Sequence, residues 1–113
     1  MKVYHISPKR LRKNILQEGL KPTLGPRSKR LGEKEAKLFF TKELNHSVEL
    51  SKNKRFNRHP DFSSGIDIWE VKLSDKVKIE NDMKFNDGFY TREIVGVLDI
   101  ELVKSFEWMD KQN

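Results

Sequence analysis

The feature that most constrains this chain is its opening, Val3-Tyr4-His5-Ile6-Ser7-Pro8, followed by Leu11, Ile15, Leu16, Gly19 and Leu20. Residues 2–6 predict a strand. Ser7 can cap a helix behind it, and Pro8 suits the first helical turn, where its missing N–H is not needed. Leu11, Ile15 and Leu16 then fall on one helical face, and Gly19 is a natural stop. A polar imidazole inside the first strand of a small domain needs either a structural partner or a function.

The 113 residues fit one domain, 1–113, with a modest core. With no cysteine, the sequence excludes a disulfide scaffold, a cysteine nucleophile and thiolate zinc sites. The first dozen residues are polar and basic, so no signal peptide is expected, and no apolar run is long enough to span a bilayer. The expectation is a soluble, cytoplasmic chain, in a bacterial cell or one infected by a virus. The formal net charge of +6, from 23 Lys and Arg against 17 Asp and Glu, suits an anionic partner. Acids are interspersed through most of the chain, which reads as a solvated surface. Basic residues concentrate at Lys9, Arg10, Arg12 and Lys13, and again at Lys52, Lys54, Arg55 and Arg58.

Further along, two glycines and two prolines break any regular pattern over residues 21–36. Residues 37–41 predict a strand. Thr41 can cap a helix reaching about Lys52, with Glu43 favourable near its positive end and Leu44 and Val48 facing inward. Residues 53–65 are polar and irregular. Residues 66–73 predict a strand with Trp69, Val71 and Leu73 on one face. Short strands are expected at 77–79, 92–97 and 102–109, with a loop over 81–88 and a turn near Asp99. The order is β-α, β-α, then mostly β, which argues for an α+β fold with small helices against antiparallel sheets.

Three pieces occur in a fixed order. They are Tyr4-His5-Ile6-Ser7 with its Ile15-Leu16-Gln17-Glu18-Gly19-Leu20 ending, then Leu38-Phe39-Phe40-Thr41 before a helix, then Glu93-Ile94-Val95-Gly96-Val97-Leu98-Asp99-Ile100-Glu101-Leu102-Val103. Together, over roughly residues 2–104, they resemble the ADP-ribosyltransferase fold in its histidine–tyrosine–glutamate branch. That branch includes diphtheria toxin, the poly(ADP-ribose) polymerases and small bacterial and phage enzymes. The resemblance implies a single small α+β domain with two antiparallel sheets around an NAD cleft. It implies a mono-ADP-ribosyltransferase, possible as a toxin or phage effector, that uses NAD to modify a protein or nucleic-acid acceptor.

By the same resemblance, Glu93 is the catalytic carboxylate. The nicotinamide–ribose bond breaks through an oxocarbenium-like transition state, which a nearby carboxylate stabilises. His5 hydrogen-bonds a ribose hydroxyl on the adenosine side, and Ser7 matches a small hydroxyl residue of the site. Phe39 stands where the family has a tyrosine that stacks on nicotinamide; phenylalanine keeps the ring and loses the hydroxyl. Phe40 is its alternate, because adjacent strand residues face opposite ways and at most one should stack on a ligand. Arg27, near Lys29 and Arg30, could pair with the pyrophosphate through a bidentate contact. Phe89, Tyr90 and Thr91 would face the acceptor. Thr91 occupies the position where arginine-modifying relatives carry a second acid, which argues against arginine as acceptor.

The residues also carry plainer readings. Glu93 could be an ordinary exposed glutamate, and Trp69 and Trp108 packing residues. His46 and His59 form no familiar metal spacing, so no metal is expected. A second function hypothesis is the same fold with eroded catalysis, a binding module for a nucleotide, nucleic acid or protein; Phe39 favours it. A third is a basic nucleic-acid-binding protein. Against that one, the aromatics show no evident spacing as a stacking platform on one sheet, and no helix-turn-helix stands out. NAD-dependent removal of an RNA 2′-phosphate would need a cluster of basic residues that the sequence does not locate.

Overall fold

Alternation sets the first strand. Val3, His5 and Ser7 point one way while Tyr4 and Ile6 point the other, the period-two pattern of an element buried on one face and partly covered on the other. The computed structural model describes residues 1–22, 36–52, 62–81 and 88–107. Among these, β1 (Lys2–Pro8) leads through a 3-10 turn (Lys9–Leu11) into α1 (Arg12–Glu18). Then come β2 (Leu38–Thr41), α2 (Leu44–Ser51), β3 (Ile66–Lys72), β4 (Ile79–Asn81) and β5 (Gly88–Thr91). A 3-10 turn (Val97–Asp99) precedes β6 (Ile100–Phe106).

The domain is α+β, and its strands form one antiparallel sheet in the order β4-β5-β2-β1-β3-β6. Two sheets were expected from the resemblance. The link that makes one sheet is narrow: β1 and β2 register only at Tyr4 opposite Thr41. By contrast, β1 pairs with β3 at seven positions, from Lys2–Lys72 to Pro8–Ile66, and β2 pairs with β5 along its whole length. The sheet is therefore two three-stranded halves joined at a seam.

One face carries the main core. Val3, Leu38, Phe40, Trp69, Val71 and Phe89 lie there, with Leu73 from the end of β3, and are closed over by Ile15 and Leu20 around α1 and by Val95. Trp69, Val71 and Leu73 share this face as the sequence predicts. The opposite face is covered by α2, whose Ser47 and Ser51 are buried; the Ser47 hydroxyl meets Thr41 of β2 and the Ser51 hydroxyl donates to the Val48 carbonyl, and residues this small let helix and strands approach closely.

Several local expectations change. Ser7 does not cap a helix. It stays in β1 opposite Asp67, and its buried hydroxyl accepts the indole N–H of Trp69 at 2.8 Å. Leu16 is exposed, because α1 is short and Ile15 alone among its residues is buried. Thr41 does not cap α2 either; its hydroxyl pairs with Ser47 Oγ at 2.6 Å and ties β2 to the middle of the helix. The strand expected at 92–97 lies instead at 88–91, where Phe89 and Thr91 alternate into the core. Beyond Thr91 the chain leaves the sheet, Val95 bridges Leu20, and the chain rejoins the sheet at β6. The strands expected at 77–79 and 102–109 lie at 79–81 and 100–106. Gly19 ends α1 at φ +80°, as its motif position predicts.

Candidate functional site

The seam between the two half-sheets is the place to build from. Beside the single Tyr4–Thr41 pair, a side chain joins the strands: His5 Nδ1 lies 2.7 Å from the carbonyl oxygen of Phe39. A carbonyl can only accept, so Nδ1 carries the proton and Nε2 holds a lone pair in the neutral ring. Burial lowers the His5 pKa from the ordinary 6.5, and outweighs the bond to Phe39, which acts to raise it. The imidazole is therefore neutral at pH 7. Its ring meets the ring of Phe40 edge-on at 6.1 Å. No described residue hydrogen-bonds Nε2, so it is available to accept a hydrogen from a hydroxyl.

The other expected site residues separate into groups. Phe40, Phe89 and Thr91 are core residues; the first two rings stand 5.8 Å apart, and Thr91 is fully buried. Ser7 is engaged by Trp69. Phe39 turns to the face opposite His5 and meets Tyr90, centroid to centroid at 5.8 Å. Only the carbonyl of Phe39, not its ring, touches His5. Arg27, Lys29, Arg30, Lys54, Arg55, Arg58, His59 and Trp108 lie outside the described residues.

Glu93 is exposed, two residues past the end of β5. Its Oε2 accepts the backbone N–H of Lys78 at 2.7 Å, and its own N–H donates to Thr91 Oγ1 at 3.2 Å. Thr91 in turn donates to the carbonyl of Lys78 at 2.9 Å. This small network pins the chain entering β4 to the chain leaving β5. In the sheet, β2 lies between β5 and β1. The structure gathers His5, Phe40 and the Phe39 carbonyl at the seam, while Glu93 bonds to Lys78 and Thr91.

Two constellations escaped sequence reasoning. Asp67 is fully buried in an apolar strand, where Arg12 grips it with two bonds of 2.7 and 2.8 Å and Ser105 donates a third at 2.8 Å. The bond to Asp67 raises the Arg12 pKa. An aspartate between Ile66 and Ile68 is the signal that a cation must come to meet it. The second is the surrounding of Tyr90: the Lys37 ammonium lies 4.5 Å from the ring centroid and the Arg92 guanidinium 5.8 Å. Among the described residues no group of three or more His, Asp or Glu is placed to hold a metal ion. None of the described helices is long and apolar enough to cross a membrane.

Compared with known proteins, the chain matches no family model, no curated protein and no solved structure.

Proposed function

We propose that this domain is an NAD-using mono-ADP-ribosyltransferase whose dinucleotide lies along the seam between the two half-sheets. The observation that carries the reading is His5: a neutral imidazole, fixed by the Phe39 carbonyl at a break in the sheet, with Nε2 left as an acceptor. That is the state a ribose hydroxyl needs in order to donate. The near-division of the sheet at β1 and β2 supports two antiparallel sheets around an NAD cleft.

In this reading His5 holds the adenosine ribose and Glu93 faces the nicotinamide ribose. The two act on different ribose units and need not touch. Glu93 offers an exposed carboxylate oriented by one backbone N–H. As the bond between the ribose carbon and nicotinamide breaks, nicotinamide leaves with the bonding pair and the sugar becomes cationic. The carboxylate stabilises that charge, a nucleophile on the acceptor bonds to the sugar carbon, and the nucleophile's proton passes to base or water.

The test is nicotinamide release from NAD by the full chain, with protein, RNA and DNA acceptors supplied. The wild type should release nicotinamide. Glu93→Gln should slow release by roughly a hundredfold while changing NAD affinity little, because the charge matters only once the sugar becomes cationic. Absence of NAD binding by calorimetry would end this reading. The alternative is a binding module without turnover. Phe39 in the tyrosine position and the engagement of the Ser7 hydroxyl by Trp69 favour it. It is recognised by NAD or nucleic-acid binding without nicotinamide release.

A further inference from the structure

Phe39 and Tyr90 are direct partners across the β2–β5 ladder and therefore share a face. It is the face turned away from the Phe40–Phe89 core. Both rings are partly buried there, and α2 packs on β1, β3 and β2. The Lys37 ammonium and the Arg92 guanidinium lie over the Tyr90 ring, 4.5 and 5.8 Å from its centroid. Arg92 also pairs with Glu80 at 3.6 Å. Lys37 has no carboxylate partner among the described residues; the ring is what it faces.

Two rings tilted 57° to each other, with a cation over one of them, complement a ligand that carries a flat π-system and an anion in one repeat. A single nucleic-acid strand presents that pair, base and phosphate, at every nucleotide. A duplex does not, because its bases stay stacked on one another. An acidic peptide would use the cations and leave the rings idle. The net charge of +6 draws a polyanion to the surface from a distance. The aromatics come from distant parts of the sequence, and strand pairing makes them neighbours.

We propose that the face of β2 and β5 that carries Phe39 and Tyr90 is a binding platform for single-stranded nucleic acid, with a base taking the place of the Lys37 ammonium over the Tyr90 ring and Lys37 moving onto a backbone phosphate. In a transferase this strand is the acceptor, a role that rests on the function proposed above; the binding itself does not.

The experiment is fluorescence anisotropy on the full chain at low salt. The probes are labelled oligo(dT) and oligo(U) of about a dozen nucleotides, within the reach of one such domain, and a duplex of equal length. The two single strands separate DNA from RNA preference. Single strands should bind at least roughly tenfold tighter than duplex, and Tyr90→Ala should weaken them roughly tenfold while Tyr90→Phe restores binding. Lys37→Ala should lower the slope of log affinity against log salt by about 1. Equal affinity for duplex, unchanged binding by Tyr90→Ala, or equal competition by polyglutamate would overturn the platform. Should Tyr90→Ala fail to fold, Lys37→Glu carries the test, and an unchanged affinity there overturns it too. Calorimetry with NAD on the same samples separates the two readings. Strand binding without NAD binding keeps the platform and removes the transferase; NAD binding without strand binding does the reverse.

Discussion

The imidazole of His5 donates its Nδ1 proton to the carbonyl of Phe39 across 2.7 Å, at the seam where β1 and β2 share only one backbone register pair. The bond helps hold the two half-sheets together and fixes the tautomer that leaves Nε2 as an acceptor.

The burial of His5 makes stability depend on pH. Burial lowers the folded-state pKa of His5 below 6.5, so the unfolded chain binds the proton more readily. Stability from this residue is full above 6.5 and is lost as pH falls through 6.5 toward the folded value. His5→Ala should cost about 1 kcal/mol at pH 8 and flatten the decline between neutral and mildly acidic pH. Urea unfolding of both proteins across that range checks it; parallel profiles would remove His5 as the source.

For NAD, His5 and Ser7 should behave differently. His5→Ala removes the ribose acceptor and should raise the Kd for NAD by about 5- to 30-fold. Ser7→Ala removes the acceptor of the Trp69 N–H, a buried group, and should cost about 1–3 kcal/mol of stability with a smaller change in NAD affinity. Calorimetry paired with unfolding curves reads both effects. The reverse pattern would move the ribose contact to Ser7.

The Arg12–Asp67 pair joins α1 to β3, and Ser105 of β6 completes it. Arg12→Ala leaves a fully buried carboxylate with only the Ser105 hydroxyl. The expected cost is about 2–4 kcal/mol, reduced because the guanidinium is about a third exposed. Adding Asp67→Asn should recover part of the loss. A double-mutant cycle by denaturant unfolding measures the coupling, and additive losses would contradict it.

Gly19 closes α1 where Leu20 bridges Val95. Its φ of +80° and the Val95 carbonyl oxygen, 2.2 Å from where a Cβ would sit, both exclude a side chain. Gly19→Ala should destabilise by roughly 2 kcal/mol or more, because the Leu20–Val95 bridge must move. A melting temperature equal to wild type would show that the bridge is dispensable.

Where signals were local, the sequence was legible. Alternation marked β1 and β3, the pair Phe39-Phe40 marked β2, and Gly19 marked the end of α1. Two errors came from segments whose apolar pattern is ambiguous. Ile94, Val95 and Val97 look like strand residues, yet Ile94 and Val97 are exposed and Val95 alone is buried. Ser7 looks like a helix cap until Trp69 arrives from β3 to take its hydroxyl.

The sequence by itself determined an α+β chain with a histidine in its first strand and a small apolar core, because periodicity and turn chemistry act within a few residues. Tertiary structure decided the rest. It joined two half-sheets through one backbone pair and one imidazole, turned Phe39 away from His5 and toward Tyr90, and bound Glu93 to the backbone of Lys78. Each of these depends on which strand lies beside which and in what register. That choice is made by burial summed over the whole sheet, and no short stretch of residues encodes it.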